Sequence, residues 1–254
     1  RVAITIPSFS AIFNVQLDEY FVHSDDSETV KKLLPTAEKI AAMFEKRLDD
    51  GLIGCFEDGK YWNFYEWQEG LDDSRQRNGH SFDAPLSAFV SMAFGALADI
   101  QRRLGLDYRH FDELRERVNL AAEKFWDEES GAYASYIVDG KKSHYCELTN
   151  SLLLYCGAVP EKRRPRVLSA LKSGELTPVT LSHSIFKYDA LLSERENVNY
   201  VLKDIEEKWG RMLMNGATTF WETIEGQSAF GNAGSLCHGW SAIPAYIYFR
   251  IAGK

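Results

Sequence analysis

Apolar residues recur at steps of three and four along most of the chain, a spacing that places them on one face of an α-helix. The clearest stripe runs from Val30 to Leu48, in a helix that starts at Ser27 and is ended by Gly51. Comparable stripes, separated by turn residues, predict nine helices, at 9–23, 27–50, 86–104, 114–125, 146–156, 161–171, 181–192, 197–213 and 236–251.

Strand signals are sparse by comparison. Extended segments are predicted at 2–6, at 133–138 before the turn residues Asp139 and Gly140, and at 218–221. The pattern therefore predicts an all-α protein built from antiparallel helical hairpins. No strict repeat period is visible, although a helical-repeat binding protein remains an alternative architecture.

The length of 254 residues is that of one large domain, which we place at 1–254. A net charge of −8 repels polyanions, so we expect no nucleic-acid partner. We find no run of about 18 apolar residues, and expect no membrane partner. The chain begins with Arg1 and not with methionine, so we expect it to be part of a longer protein.

The four cysteines are scattered along the sequence. Cys55, Cys146, Cys156 and Cys237 form no C-x-x-C pair, which argues against a zinc knuckle or a dense disulfide framework. We expect small buried thiols, with a bridge between Cys146 and Cys156 left open if the compartment is oxidising. No metal-ligand spacing is present, and we assign neither a metal nor a cofactor.

Two short motifs near the C-terminus carry the candidate chemistry. Residues 216–222 end in a tryptophan and Glu222, and residues 234–240 bring His238 and a second tryptophan. Carboxylates activate water in glycoside hydrolysis, while aromatic faces and imidazoles are typical of sugar pockets. The alternative is that Glu222 is a surface acid next to a core tryptophan.

The same motifs resemble the end of the catalytic domain of bacterial alpha-L-rhamnosidases, glycoside hydrolase family 78. The resemblance rests on residues 216–222, on the serine-leucine-x-histidine run at 235–238 and on the terminal segment 245–253. Three upstream segments, at 6–10, 62–67 and 149–161, are similar to family segments in the same order. The resemblance thus covers nearly the whole chain.

This resemblance implies an (alpha/alpha)6 toroid, in which an inner ring of helices is wrapped by an outer ring. Such a toroid needs about twelve helices, as six hairpins, and the sequence predicts only nine. We therefore expect an incomplete toroid whose N-terminal helices are missing, and we expect that missing N-terminal part of the same enzyme as a partner. A rhamnose-containing oligosaccharide or glycoside is the implied substrate.

The family resemblance also implies an inverting mechanism with two carboxyl groups. Glu222 matches the general base, whereas the acidic motif that carries the proton donor is not found and is expected outside this chain. Trp221 is a candidate for sugar contact, although core packing alone would account for it. Trp240 is expected in the core.

Four further residues match sugar-binding positions of the family. Trp67 is a candidate stacking platform, and Trp62 could line the same cleft or simply pack. Glu66 stands where the family has aspartate, one methylene shorter. His238 matches a histidine that binds sugar hydroxyls, and we expect it in the first turn of the last helix, capped by Ser235.

Two other functional classes remain open. One is a non-catalytic helical carbohydrate-binding or scaffold module derived from such an enzyme, which the missing acid and the altered Glu66 favour. The other is a different six-hairpin sugar enzyme that shares only the architecture. The resemblance leaves the compartment open between the bacterial cytoplasm and periplasm.

Overall fold

The computed structural model describes residues 5–74 and 79–253. Within these ranges the chain forms nine α-helices of eight or more residues and one helix of four residues. They are α1 (Pro7–Ser24), α2 (Ser27–Glu45), α3 (Ala84–Arg103), α4 (Arg109–Ala121), α5 (Glu147–Tyr155), α6 (Arg164–Ser173), α7 (Ser184–Leu191), α8 (Val198–Met214), α9 (Ala229–Asn232) and α10 (Ile243–Ala252).

The helices pack as two concentric layers. Helices α1, α3, α5, α7 and α10 contact one another in that order and form the inner layer. Helices α2, α4, α6 and α8 each pack between or against them from outside. This alternation of inner and outer helices confirms the predicted all-α toroid of helical hairpins.

Helix α3 is the centre of the core. It is almost entirely buried and packs against α1, α4 and α5. By length and composition α3 is apolar enough to cross a membrane, with a mean hydropathy of 1.2, contrary to our expectation that no such stretch exists. However, 83% of the apolar 18-residue segment of α3 is buried inside the fold, as is typical of a core helix.

The helix ends follow the local sequence. The Asp26 carboxylate accepts a hydrogen bond from the Thr29 amide (3.0 Å) and caps α2. Pro7 and Pro85 lie in the first turns of α1 and α3, where the absent N–H costs no hydrogen bond. Gly174 ends α6 in the left-handed conformation.

The strands are short and lie between the helices. A three-stranded antiparallel sheet has the order β1 (Ser81–Asp83), β4 (Tyr136–Val138), β5 (Lys141–Ser143), and β2 (Trp126–Asp127) pairs with β3 (Ala132–Tyr133). The strand predicted at 133–138 is thus divided between two sheets.

The predicted turn at Asp139 and Gly140 joins β4 to β5. Both residues have positive φ (47° and 77°), which suits a two-residue hairpin. Of the predicted strand at 2–6, Thr5 bridges to Tyr61, whereas residues 1–4 lie outside the described residues.

The last helix begins later than we expected. Helix α10 starts at Ile243 and not at residue 236, because Pro244 fits the first turn of a helix but not its interior. His238 therefore has extended backbone angles and precedes a short 3-10 turn at Gly239–Ser241. The predictions that His238 lies in a first helical turn and that Ser235 caps it are wrong.

All four cysteines are free thiols. Cys146 is buried, as expected, but Cys237 is exposed and lies in the segment that precedes α10. The expectation that all four would be buried is therefore wrong for Cys237, and Cys55 and Cys156 are only partly buried.

Candidate active site

The two C-terminal motifs run side by side. The Glu222 amide donates to the Ser235 carbonyl (2.9 Å), and the His238 amide donates to the Phe220 carbonyl (2.7 Å). The segment predicted to be extended at 218–221 thus pairs with the histidine motif. The two hydrogen bonds close the neck of an intervening loop, residues 223–234, and place Glu222 and His238 on two paired segments.

The Glu222 carboxylate is held by the same neck. The Ser235 amide donates to its Oε2 atom (3.2 Å), and the side chain is half-buried. Among the described residues, no group donates a hydrogen bond to the second oxygen, Oε1. One oxygen therefore fixes the orientation of the carboxylate while the other is left for a proton or a water molecule.

Trp221 forms one wall of the neck. Its ring is half-buried against the core, and a Cβ atom on Gly226 would lie 2.7 Å from it. Ser241 donates its hydroxyl to the Trp221 carbonyl (2.5 Å), which ties the motif to the start of α10. These contacts account for Trp221 as a packing residue, and its contact with a sugar stays a prediction.

An aromatic wall lies beside the loop. Trp62, Phe64 and Trp67 contact one another with ring centroids 4.6 to 5.6 Å apart. Phe230, at the tip of the 223–234 loop, reaches Trp67 at 5.1 Å. Trp67 and Phe230 are 43% and 47% exposed, so this wall is partly open to solvent.

No sequence motif identified Phe230 as a residue of the candidate site. It has positive φ (52°), as do Gly231 and Asn232 after it, and this left-handed run turns the loop tip. The contact with Trp67 depends on that turn and joins segments that are far apart in sequence. A sequence motif therefore could not reveal it.

Trp240 is not in the core. It is 53% exposed and contacts Phe9, His238 and His183, with centroids 5.2, 6.1 and 6.4 Å apart. Our prediction was wrong because it placed Trp240 on a helix with a buried face, whereas the residue lies in the 3-10 turn before α10. Trp240 thus connects His238 to the buried His183 inside the helical toroid.

Glu66 lies beneath the aromatic wall. It is 1% exposed, and its Oε2 atom accepts hydrogen bonds from the Thr180 amide (2.9 Å) and hydroxyl (2.6 Å). The Oε1 atom is buried and has no hydrogen-bond partner among the described residues. Burial raises the pKa of Glu66 to about 7. Contact of Glu66 with a sugar stays a prediction and requires an opening to Oε1.

His183 is a further polar residue that the sequence did not single out. It is buried, and its Nδ1 atom lies 4.0 Å from Glu66 Oε2. Because burial lowers the pKa of His183 to about 4, the ring is neutral near pH 7 and this contact is not an ion pair. The ring also stacks on Phe186, at 6.0 Å.

Recorded contacts link most of the predicted residues in two groups. Glu222 and His238 lie on paired segments at the neck, and Trp240 and His183 connect His238 to Glu66. Phe230 joins the loop to Trp67, which contacts Trp62. Among the described residues, no group of three or more His, Cys, Asp or Glu side chains is placed to hold a metal ion.

Two cavities lie near this region. One of about 580 Å³ is lined mainly by apolar residues of α8, α10 and 217–220, and its lining includes none of the predicted site residues. The other, of about 490 Å³, is polar and begins at Gln68, directly after Trp67. A sugar needs several hydrogen-bonding groups, which the second cavity offers and the first largely does not.

A family model described as the bacterial alpha-L-rhamnosidase six-hairpin glycosidase domain matches residues 9–251. A search of curated protein sequences found no match.

Solved structures show the same fold. A family 78 rhamnosidase of Bacillus sp. GL1 superimposes with a TM-score of 0.81 at 24% identity, over 98% of this chain and 26% of that one. A rhamnosidase from Klebsiella oxytoca with rhamnose bound gives 0.79 at 20% identity, over 98% and 47%. An alpha-L-rhamnosidase of Streptomyces avermitilis in complex with L-rhamnose gives 0.62 at 18% identity, over 90% and 22%. The chain thus spans less than half the length of these proteins.

Proposed function

Because the chain belongs to the bacterial alpha-L-rhamnosidase six-hairpin glycosidase domain family, we propose that it forms part of an enzyme that removes terminal alpha-L-rhamnose from glycosides or polysaccharides. The observation that carries this proposal is the arrangement at the loop neck. There, the Ser235 amide holds one oxygen of the Glu222 carboxylate, no described residue donates a hydrogen bond to the other oxygen, and His238 lies on the paired segment.

In the proposed reaction Glu222 is the general base. In an inverting glycosidase a water molecule attacks the sugar on the face opposite to the departing oxygen, while a carboxylate takes the proton of that water. The free Oε1 atom of Glu222 would accept this proton, and the Ser235 amide would hold the other oxygen in place. A second carboxyl group must protonate the departing oxygen. We assign that group to another part of the enzyme.

The aromatic wall and the histidine would bind the sugar. Trp67 offers a half-exposed ring face for the apolar side of a deoxyhexose, and Trp62 supports that ring from behind. His238 would bond sugar hydroxyls from the neck, and Trp221 would keep the neck rigid. Glu66 would accept a hydrogen bond from a sugar hydroxyl at its Oε1 atom once the residues that bury this atom move apart. Support comes from two similar structures that contain rhamnose.

The non-catalytic alternative is a carbohydrate-binding or scaffold module. The buried state of Glu66 favours it, because a carboxylate that is 1% exposed cannot touch a ligand in this conformation. Rhamnose titration separates a sugar site from a scaffold, whereas a carbohydrate-binding module is separated from an enzyme by the activity test below. A sugar site should bind rhamnose and lose affinity in His238→Ala, whereas a scaffold should show no binding that depends on His238.

The catalytic role is tested in the enzyme that contains this domain. We expect Glu222→Gln to lower kcat on nitrophenyl rhamnoside by about three orders of magnitude, within the range of general acid–base catalysis, and to leave the fold intact. Glu225→Gln, an exposed acid in the same loop, is the matched control and should keep normal turnover. Near-normal hydrolysis by Glu222→Gln would exclude Glu222 as the base.

A further inference from the structure

Phe230 and Trp67 form an aromatic notch at the tip of the 223–234 loop. Their ring centroids lie 5.1 Å apart and their ring planes are tilted by 54°, so the two rings diverge from their line of contact. Both side chains are partly exposed, and solvent reaches part of each. A phenyl ring has no hydrogen-bonding group, so the Phe230 side of the notch offers a ligand only apolar contact.

The backbone at Phe230 disfavours a bulky residue. It has φ 52° and ψ 40°, in the left-handed region that is costly for residues with a Cβ atom. Gly231 (φ 67°) and Asn232 (φ 72°) continue the turn, and glycine and asparagine are the residues that tolerate it best. Strained positions of this kind concentrate at ligand-binding and switch regions. The backbone therefore gives no reason for a phenylalanine at the loop tip, whereas the ring contact with Trp67 does.

Backbone contacts hold the loop tip without help from the Phe230 ring. The Ala233 and Gly234 amides both donate to the Ala229 carbonyl (2.9 and 3.0 Å). A Cβ atom on Gly234 would collide with the Gly226 carbonyl, so the two arms of the loop are closely packed. Because both hydrogen bonds involve backbone atoms alone, a substitution of the Phe230 side chain should leave the loop in place.

A series of ring contacts connects the notch to the neck of the loop. The links, given as distances between ring centroids, are Trp67 to Phe64 (4.8 Å), Phe64 to Phe9 (6.1 Å), Phe9 to Trp240 (5.2 Å) and Trp240 to His238 (6.1 Å). Phe9 thus joins the aromatic wall to the segment that pairs with Glu222. The loop backbone makes the second connection, because the loop that carries Phe230 begins directly after Glu222. The notch is therefore part of the same region as the proposed base.

A 6-deoxyhexose carries a group that suits this notch. Carbon 6 of L-rhamnose is a methyl group, whereas in L-mannose, which has the same ring stereochemistry, this carbon bears a hydroxyl. Contact with the Phe230 ring removes the methyl surface from water, which is favourable. The same contact would take the hydroxyl out of water without supplying a hydrogen bond, which is unfavourable.

We propose that Phe230 is a specificity-determining residue that packs against the C6 methyl group of the terminal sugar and favours a 6-deoxyhexose over the corresponding hexose. The inference rests on the proposed function, because it requires a sugar on the Trp67 side of the notch. An apolar pocket rejects an added hydroxyl by about a hundredfold. Because Phe230 supplies one of the two rings, it should account for about tenfold of the preference.

The test compares two substrates in the enzyme that contains this domain. Nitrophenyl alpha-L-rhamnoside and nitrophenyl alpha-L-mannoside differ only in the hydroxyl on C6, so the ratio of their kcat/KM values reports the C6 contact. We expect the wild type to favour the rhamnoside. Phe230→Asn should lower the ratio about tenfold, because its side chain is polar and tolerates the left-handed backbone. Phe230→Leu, which restores an apolar side chain, should recover most of the ratio.

Phe249→Asn is the matched control. Phe249 is 81% exposed on α10, and its substitution should leave the ratio unchanged. An equal loss of kcat/KM on both substrates in Phe230→Asn would show that Phe230 only supports the loop, and would overturn the inference while the rhamnosidase function stands. A wild type that does not distinguish the two substrates would overturn it as well. If the wild type hydrolyses neither glycoside, the proposed function itself fails.

Discussion

Glu66 and Trp67 are neighbours in the sequence, yet one side chain is sealed in the interior and the other is half exposed. The family resemblance matches both to sugar contacts, and these contacts stay predictions. It could not reveal the burial of Glu66, because that depends on Thr180, 114 residues away. For single residues, the sequence therefore identifies the functional group but not whether that group is exposed to solvent or buried.

The buried carboxylate makes stability depend on pH. Because burial raises the pKa of Glu66 from 4.5 to about 7, the folded protein keeps this proton over a pH range where the unfolded chain has lost it. The free energy of unfolding must then fall as pH rises through that window. Between about pH 5 and pH 8 we expect the wild type to lose roughly 1–3 kcal/mol more than Glu66→Gln, measured by urea unfolding.

His183 contributes with the opposite sign. Its pKa is lowered to about 4, so its stabilising contribution is present above about pH 6.5 and is lost as pH falls towards 4. We expect this contribution to be similar in the wild type and in Glu66→Gln, so that it largely cancels in the comparison. Glu57→Gln, at an exposed glutamate, should behave as the wild type. Equal pH dependence in all three proteins would disprove the effect.

Among the elements, the long helices were predictable and the short ones were not. Nine segments with helical periodicity correspond to nine helices, because a stripe of several turns is a strong local signal. Strands of two or three residues, such as β2 and β5, are too short to show alternation. The apolar stripe extends N-terminal to α10, and only Pro244, which is typical of a first helical turn, indicates that the helix starts at Ile243.

The loop at residues 223–234 depends on a glycine at its neck. Gly226 has φ +60°, and a Cβ atom there would lie 2.7 Å from the Trp221 ring. We expect Gly226→Ala to lower the free energy of unfolding by on the order of 1–3 kcal/mol, since it combines a left-handed strain with a steric clash. Urea denaturation followed by circular dichroism measures the change.

Gly59→Ala provides the matched control for that substitution. Gly59 is not in the left-handed region, and nothing lies within 4 Å of an added Cβ atom. We expect its unfolding curve to match that of the wild type closely. A Gly226→Ala protein as stable as Gly59→Ala would show that the neck is not closely packed.

At the scale of the whole molecule, the inner helices differ in how completely they are enclosed. Helix α3 is packed on several sides, whereas α10 exposes Tyr246, Tyr248 and Phe249. Helical periodicity predicted the all-α class, because each helix is recognisable locally, and the family resemblance implied the arrangement in two layers. The degree of enclosure of each helix depends on its neighbours in the ring and could not be predicted in this way.

This difference should appear in hydrogen exchange measured by mass spectrometry. We expect the backbone amides of α3 to exchange most slowly, because their opening requires disruption of the central core. The amides of α10 and of the 223–234 loop should exchange much faster. Equal protection of α3 and α10 would show that the molecule opens only as one cooperative unit.

The hydrogen bond from the Ser235 amide to Glu222 has one more consequence. The donor belongs to the backbone, so no side-chain substitution at residue 235 other than proline can delete it. Under the proposed role of Glu222, the backbone that closes the loop neck also aligns the proton acceptor. Replacement of Ser235 by alanine should therefore spare the alignment, whereas proline at this position would remove it together with the amide hydrogen.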